Sequence, residues 1–440
     1  MSWNPVLDKF IEIKNEYIKV FGNITYDYIA GYTNESETCL ERWIRELNSV
    51  NKSVKYKEYE DIVSCLELNQ YENLLLFRYA RYSNVYDGEV ESSGEDFWDR
   101  HNGFYRECRS VVIDIKNDCL VLTPFKKFFN VNELEETSVE NINKRIEKAN
   151  YIEISDKIDG SMQSARWYNG RIVMAGSQAI NPGNSWRLTD GYRMIKSNPD
   201  YEKMLKDYPY YSFTFEYVSL MDAHVVKYTK SQEGLYLIGL RNVLTGYECS
   251  YDTVIKIAKE YNIRTTRVFN KTFRQVLNEL DDKSSDEAEG FVINIDGYKV
   301  KVKYNDYVYI HRALSKLSSI NLIIRSIADD TYDDLISKLP VAYHDNVKKV
   351  VEIVVKYVKS TENEIQKYYD AAPKENQKQF MLYISQNVPR KYQAYCRAKY
   401  LNKPYNVLKS GNDQQPKYKK LKEMGVSDYS SIFSEVDENE

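Results

Sequence analysis

A lysine and an aspartate stand two residues apart at the junction of a predicted strand and a turn, in the segment YIEISDKIDGSMQSARWYNGRIVMAG. Residues 151–154 and 171–174 have the composition of strands, and Lys157-Ile158-Asp159-Gly160-Ser161 is a tight polar turn between them. A surface lysine would be the ordinary interpretation of this position. The alternative is a lysine that acts as a nucleophile, with a glycine that lets another group approach.

A lysine attacks only as the free amine, and its ordinary pKa of about 10.4 keeps it protonated near neutral pH. Neighbouring positive charge or burial must lower that pKa. The segment YKVKVKY places Lys299, Lys301 and Lys303 on one face of a strand, with valines on the other face. Such a ladder is usually a solvated face, but buried valines would concentrate the lysines where an anion such as triphosphate could bind.

Further charged residues stand in or beside predicted strands and could share a site with this lysine. Glu216 lies between two aromatic residues in FTFEYVS, so its side chain is expected on the opposite strand face. Glu289 precedes the predicted strand GFVINI, and Arg109 begins the predicted strand RSVVIDI. Lys126 and Lys127 stand in FKKFFN. Each of these residues alone is weak evidence of a site.

The composition is that of a folded chain with two or three domains. The 440 residues include 42% hydrophobic and 29% charged residues, and no apolar run is long enough for a membrane helix. The start, MSWNPVLDKF, lacks the features of a secretion signal, so a cytoplasmic location is expected. The six cysteines form no CxxC pair and there are four histidines, which argues against a zinc ribbon or a histidine-rich metal site.

Three regions of the chain differ in pattern. Amphipathic segments predict helices near the N-terminus, whereas short strands alternate with turns over 70–315. After residue 315 the apolar spacing becomes helical. We therefore predict an α+β fold, with antiparallel sheets flanked by helices and followed by an all-helical C-terminal domain. The expected boundaries are 1–65 for an N-terminal helical extension, 66–340 for the α+β domain and 341–440 for the helical domain with an acidic tail.

The polar turn and its companion segments resemble a known family. Lys157-Ile158-Asp159-Gly160 matches the KxDG motif of covalent nucleotidyltransferases, which comprise DNA ligases, RNA ligases and mRNA capping enzymes. The other segments are similar to the bacteriophage T4 RNA ligase 1 family: ECRSVVIDI to its ECRG strand, KKFFNVNE to its KFFN segment, FTFEYVS to motif III, LYLIGLRNVLTGYE to motif IIIa, EGFVINI to motif IV and KVKVKYNDYVYIH to motif V. Ser110 stands where the family usually has glycine.

The resemblance covers about 70–340 and implies that this region is a nucleotidyltransferase, or adenylation, domain. Lys157 would attack the α-phosphate of ATP and become a lysyl-AMP phosphoramidate. Lys301 and Lys303 would hold that phosphate, and such cations are expected to favour the free amine of Lys157. Asp159 would orient the site, with ribose, metal and structural roles all open.

The family also implies the groups that bind the cofactors ATP and Mg²⁺ or Mn²⁺. The ATP-binding residues would be Arg109, Lys127, Lys157, Glu216, Lys301 and Lys303, and the metal ligands would be Glu289, Asp333 and Asp334. Of these, Arg109 and Lys127 would contact the phosphates and Glu216 the ribose. The acidic pair Asp333 and Asp334, in the segment YDDL, would hold a second metal ion.

The implied reaction joins an RNA 5′-phosphate to a 3′-hydroxyl through lysyl-AMP and an adenylated RNA 5′ end. The expected substrate is a tRNA broken in its anticodon loop, sealed by a monomer. Because the chain has no GxxxxGK[ST] loop, a separate polynucleotide kinase and phosphatase would heal the ends. The compositional bias to Asn, Lys, Tyr and Ile is compatible with a viral source in a host cytoplasm.

Two other functions stay open from the sequence. A capping-type guanylyltransferase would use the same lysine with GTP, although its OB-fold would give short strands, and not helices, after motif V. A non-catalytic RNA-binding protein on a ligase scaffold is the second. Between Pro389 and Lys422 there are ten basic residues, one acid and five interleaved tyrosines, which suit phosphates and unpaired bases or form a solvated basic helix.

Overall fold

The computed structural model describes residues 2–26, 37–80, 94–180, 185–222, 225–284, 286–308, 321–329, 331–332, 336, 344–410, 417–419 and 424. The chain forms two compact units, the first of Met1–Lys283 with Glu287–Tyr304 and the second of Ser284–Asp286 with Asn305–Glu440. Within the described ranges, no helix is both long and apolar enough to cross a lipid bilayer. The domain boundaries at 65 and 340 stay a prediction.

The helices predicted near the N-terminus are present and begin at side-chain caps. The Asn4 side chain accepts hydrogen bonds from the backbone N–H groups of Val6 and Leu7, and Thr38 and Glu41 form a capping box. The helices of the first unit are α1 (Pro5–Phe21), α2 (Cys39–Val50), α3 (Val54–Ser64), α4 (Gly94–Glu107, not helical at 100–103), α5 (Val139–Ile146), α6 (Trp186–Ser197), α7 (Pro199–Asp207), α8 (Tyr251–Glu260) and α9 (Phe273–Asn278).

Three sheets form the rest of the first unit. Their strand orders are β1-β2-β3-β4, β10-β9-β8-β6-β7 and β12-β11-β5, and the short β9·β10 pair is parallel whereas the other pairs are antiparallel. The strands are β1 (Leu66–Tyr71), β2 (Leu74–Tyr79), β3 (Arg109–Asp114), β4 (Cys119–Leu122), β5 (Ile152–Lys157), β6 (Ser161–Tyr168), β7 (Arg171–Ala175), β8 (Tyr211–Val218), β9 (Gly234–Asn242), β10 (Arg264–Thr265), β11 (Gly290–Ile295) and β12 (Tyr298–Lys303). The predicted α+β class is confirmed.

The N-terminal helices share a core with the first sheet. Trp43 of α2 and Phe10 of α1 are buried in the same cluster as Leu75, Phe77 and Val111 of the strands. A second core joins the five-stranded sheet to α6, α7 and α8. The N-terminal helices are therefore built into the body that carries the candidate site.

The second unit is mainly helical, as predicted. In α11 the predicted apolar stripe is present, with Val350 and Val354 fully buried. Phe380 of α12 stacks on Tyr400 of α13 with ring centroids 4.1 Å apart. Its elements are α10 (Asn321–Ala328), α11 (His344–Ala371), α12 (Gln377–Asn387), α13 (Arg390–Tyr400) and the antiparallel pair β13 (Lys409–Ser410) and β14 (Lys417–Tyr418).

Candidate active site

The three-stranded sheet brings the lysine of the KIDG turn beside two other charged residues. Lys157 ends β5, and its register partner Gly290 on β11 is also the partner of Lys303 on β12. Glu289, one residue before Gly290, accepts a hydrogen bond at Oε2 from Lys157 Nζ at 2.5 Å. Its Oε1 lies 2.9 Å from Lys303 Nζ. One buried carboxylate therefore bridges two lysines that are 146 positions apart in the sequence.

The glycine at the centre of this arrangement is required by its backbone. Gly290 has φ +150°, which L side chains rarely adopt. A Cβ atom there would lie 2.1 Å from the carbonyl oxygen of Val302. The close approach of β11 to β12 at this point is what brings Glu289 within reach of Lys303.

Neighbouring charges set the protonation of Glu289 and of Lys157. Burial alone would raise the pKa of Glu289, but the charges of Lys157 and Lys303 outweigh it and lower that pKa to about 2. Burial would lower the pKa of Lys157, but the charges of Glu289 and Glu216 raise it above its ordinary value. The expectation that neighbouring cations favour the free amine of Lys157 is therefore wrong for this structure, because its nearest charged partner is a carboxylate.

A second group of cations lies beside this bridge around one aromatic ring. The Arg109 guanidinium lies 5.2 Å from the centroid of Phe128, and Lys301 Nζ lies 4.7 Å from the same centroid. Burial and the charges of Arg109 and Lys127 lower the pKa of Lys301 well below its ordinary value. Among the described residues, no carboxylate forms an ion pair with Arg109, Lys127 or Lys301, and the buried Arg109 Nη1 has no hydrogen-bond partner.

Lys127 is held by aromatic residues that sequence reasoning did not identify. Its Nζ lies 5.3 to 5.4 Å from the ring centroids of Tyr79, Trp98 and Phe129, and 3.4 Å from the Tyr79 hydroxyl oxygen. Burial would raise the pKa of Tyr79, but the charges of Lys127 and Arg109 outweigh it and lower that pKa. Tyr79 and Trp98 stand outside the recognised motifs, so their aromatic character was the signal available for them.

The lysine ladder of β12 is confirmed, but its members have different partners. Val300 and Val302 are buried on one face, as the alternation predicted. On the other face Lys299 pairs with Glu248 and lies over the ring of Phe125. Lys299 is thus already neutralised, whereas Lys301 is not paired with any described carboxylate.

Glu216 enters the same site from the five-stranded sheet. It lies on β8, with its side chain close to Gly160, where an added Cβ atom would approach Glu216 Cγ to 2.8 Å and the Tyr217 carbonyl oxygen to 2.5 Å. Burial raises the pKa of Glu216 to about 7, with Glu289 adding to the rise against the opposing charge of Lys157. The expectation that Gly160 permits a close approach is confirmed, although the approaching group is the protein's own strand.

Asp159 anchors a neighbouring loop. Its Oδ2 accepts hydrogen bonds from the backbone N–H groups of Val225 and Val226 at 2.9 and 3.0 Å. Its own backbone N–H donates to the Tyr228 hydroxyl at 2.9 Å. Of the roles left open by the sequence, these contacts support a structural one, which fixes the turn that follows Lys157.

Ser110 explains why a glycine is usual at its position. It has φ +67°, in the left-handed region, at an irregularity in the pairing of β2 with β3 next to Arg109. Its hydroxyl donates a hydrogen bond to the Ser177 carbonyl oxygen at 2.9 Å. The serine therefore keeps the glycine-like backbone and adds one contact.

Few of the described side chains at this site could bind a divalent metal ion. In the part of the chain that the structure describes, no cluster of three or more His, Cys, Asp or Glu side chains could hold a metal ion. Mg²⁺ does not need such a cluster, because it commonly binds through one or two carboxylates, several waters and substrate phosphates. Glu289 supplies one buried carboxylate next to the unpaired cations, so it fits that mode. Asp333 and Asp334 lie outside the described residues.

In the second unit, the tyrosines of the basic segment have packing partners. Tyr400 stacks on Phe380, and Tyr395 and Tyr405 pack on each other with centroids 5.6 Å apart. The Tyr405 hydroxyl donates to Glu362 at 2.8 Å. These three rings are partly exposed and pack against neighbouring residues of the helical unit. Among the basic residues, the exposed ones include Arg390, Lys391 and Lys403.

Comparison with known proteins identifies the same region. Residues 107–309 match a family model described as RNA ligase. An RNA ligase of Naegleria gruberi solved with PPi has 16% identity and a TM-score of 0.34, covering 42% of this chain and 57% of that one. A mutant of that ligase with ATP and Mn has 17% identity and a TM-score of 0.33, covering 40% and 55%. The aligned part spans less than two thirds of those ligases.

Proposed function

We propose that this chain, whose residues 107–309 match the RNA ligase family model, is an ATP-dependent RNA ligase with Lys157 as its nucleophile. The observation that carries the proposal is the group of cations without a described carboxylate partner, Arg109, Lys127 and Lys301, next to the Lys157–Glu289 pair. Burying such charges together is unfavourable unless an anion joins them. A polyphosphate is the anion that suits three cations beside a nucleophile.

The first step would transfer AMP to the chain. Lys157 Nζ, as the free amine, attacks the α-phosphorus of ATP, the new N–P bond forms, the bond to the β-phosphate oxygen breaks, and pyrophosphate leaves. The proton lost from the amine goes to solvent. Lys301 and Lys303 would neutralise the equatorial oxygens, and Arg109 and Lys127 the departing phosphates.

Glu289 would hold the divalent ion, which when bound adds positive charge to the ATP phosphates and keeps most of its own waters. A carboxylate engaged in that way would attract the Lys157 ammonium less strongly. The raised pKa of Lys157 would then fall, and the free amine would become available. In this proposal Glu289 therefore keeps the nucleophile protonated until substrate is in place.

The later steps would act on RNA. The 5′-phosphate of an RNA attacks the α-phosphorus of lysyl-AMP, which releases Lys157 and forms a 5′-adenylated end. A 3′-hydroxyl then attacks the RNA 5′-phosphorus, forms the phosphodiester and releases AMP. A broken tRNA is the substrate we favour, with end healing by a separate kinase and phosphatase.

The test of the function is incubation of the purified chain with radiolabelled ATP or GTP and Mg²⁺, followed by separation on a denaturing gel. We expect a covalent label with α-labelled ATP and none with GTP. Sealing of a 5′-phosphorylated single-stranded RNA should follow. A label from GTP would favour the guanylyltransferase, and the absence of any label would favour a non-catalytic RNA-binding protein.

The exposed basic residues of α13 give a prediction about RNA choice. We expect a variant with Arg390→Glu and Lys391→Glu to react with ATP normally but to bind tRNA more weakly, with a smaller salt dependence, because fewer phosphates are neutralised. The measurement is binding of a broken tRNA at two salt concentrations. A matched control changes two other exposed lysines, Lys367 and Lys378, to Glu. Equal weakening by both pairs would mean that net charge, and not this surface, governs binding.

A further inference from the structure

A buried arginine on β9 joins several segments of the first unit. Arg241 is 6% exposed, and its guanidinium donates two hydrogen bonds to the Glu107 carboxylate at 2.7 and 2.9 Å. It also donates to the carbonyl oxygens of Pro124 and Gly246, each at 3.2 Å. Segments around residues 107, 124 and 241–246 thus meet at one side chain.

The N-terminal segment, which the family resemblance does not explain, closes this cluster. The Trp3 ring lies over the Arg241 guanidinium at 4.4 Å, and its Nε1–H donates to the Val243 carbonyl oxygen at 2.9 Å. The ring packs so closely on Gly246 that a Cβ atom there would lie 2.6 Å from it. Asn4, which caps α1, reaches the same Glu107 carboxylate at 3.5 Å.

The cluster continues to the lysine ladder. Glu248 lies 3.8 Å from Arg241 and forms an ion pair with Lys299 on β12. Burial would raise the pKa of Glu248, but the charges of Lys299 and Arg241 outweigh it and lower that pKa. The path from Trp3 to β12 is therefore a continuous set of charged and hydrogen-bonded side chains.

Two of the contacts of Arg241, with Glu107 and Pro124, fall close in sequence to residues proposed to hold a phosphate. Glu107 stands two residues before Arg109, and Pro124 stands three residues before Lys127. Lys299 lies on the same strand face as Lys301. A buried ionic cluster is a costly way to gain stability, since apolar residues would serve as well or better. The position of the cluster is instead suited to holding several backbone segments in fixed positions relative to one another.

We propose that Arg241 is a positioning residue that sets the spacing of the phosphate-binding cations, and that the N-terminal segment keeps it in place through Trp3. The proposal rests on the proposed function, because the cations it positions are those assigned to ATP. Arg241 itself would not touch the nucleotide. Its replacement should therefore change ATP binding and lysyl-AMP formation in a folded protein.

The experiment compares Arg241→Lys with Arg166→Lys in the full chain. Arg166 is equally buried, at 6% exposure, but donates to the carbonyl oxygens of Leu120, Val121 and Pro209, none of which is proposed to bind ATP. The melting temperature of each variant is measured first. The KM for ATP and the rate of adduct formation are then measured well below both melting temperatures. We expect Arg241→Lys to raise KM and slow adduct formation by about 10- to 100-fold, as small displacements at reacting groups do. Arg166→Lys should stay within about twofold of the unchanged chain.

A milder change covers the case in which Arg241→Lys does not fold. Trp3→Leu removes the ring and its hydrogen bond at the edge of the cluster, and it should shift the KM for ATP in the same direction. If the folded Arg241 or Trp3 variant has the kinetics of the Arg166 control, the positioning role is overturned and the cluster is only structural. If the unchanged chain forms no adduct, both this role and the proposed function fail.

Discussion

We expect a Lys157→Ala variant to form no covalent adduct when it is incubated with ATP and Mg²⁺, whereas the unchanged chain should gain the mass of one AMP. The reason is chemical, because the Lys157 amine lies on the Glu289 carboxylate, and its charge also acts on Lys301 beside Phe128. Lys303 is the nearest competitor, since it pairs with the other oxygen of the same carboxylate. It would hold the α-phosphate and not attack it.

Intact-protein mass spectrometry measures this result, and peptide mapping of the unchanged chain locates the adduct. A Lys144→Ala variant is the control, because Lys144 is exposed on α5 and its ion-pair partner among the described residues is Glu140, one helical turn away. It should form the adduct at the normal rate. An adduct on Lys303, or an undiminished adduct in Lys157→Ala, would show that the nucleophile has been wrongly assigned.

Local pattern was enough to predict the elements that carry the site. The alternation of valine and lysine in β12 predicted a strand with one buried face, and the structure confirms it with Val300 and Val302. The KIDG turn was predicted at the end of a strand, and Lys157 is the last residue of β5. Both features depend on residues close together in the sequence, where spacing alone fixes the face on which a side chain lies.

The partners of those side chains could not be predicted in the same way. Lys299 and Lys301 share a face, yet Glu248 pairs with the first, and the second lies against Phe128. Which lysine is paired depends on Glu248, about fifty residues away, and on the irregular segment after β4 that holds Phe128. Spacing along one strand holds no information about that choice.

The protonation of the nucleophile was mispredicted for the same reason. The sequence showed many lysines and arginines in the matched motifs, so positive charge was expected to dominate around Lys157. The strand register instead places the Glu289 carboxylate directly on the amine. Distance decides the outcome, since a carboxylate in contact outweighs cations that lie farther away.

The N-terminal segment lies outside the family resemblance, so its contacts were not predicted from the motifs. Its helices were predicted from their amphipathic pattern, and they are present, but the family motifs assign no function to them. In the structure their apolar faces complete the core behind β2 and β3, and Trp3 and Asn4 reach the Arg241 cluster. The contacts of Trp3 and Asn4 bridge more than a hundred residues, so no local signal could have revealed them.

A Glu289→Gln variant should lose adenylation while its Lys157 becomes more reactive toward a simple electrophile. Glutamine has the shape of glutamate but no charge, so it would bind the divalent ion poorly, and adduct formation with ATP should fall by about 100-fold or more. The same change removes the charge that most raises the pKa of Lys157. Burial then lowers that pKa against the smaller raising effect of Glu216 and Asp159, and each unit of decrease gives about ten times more free amine below it.

The two effects are measured separately on the same protein. Adenylation is followed with ATP at low and high Mg²⁺, and amine reactivity is followed by labelling with dinitrofluorobenzene at pH 8 in the presence of a metal chelator, with peptide mass spectrometry of the Lys157 peptide. Lys144, exposed on α5, provides the internal reference, because its labelling should not change. If labelling of Lys157 is unchanged or slower in Glu289→Gln, the carboxylate does not hold the amine in its protonated form. If adenylation persists at the normal rate, Glu289 is not the metal ligand, and the role assigned to it from the KIDG and EGFVINI segments is wrong.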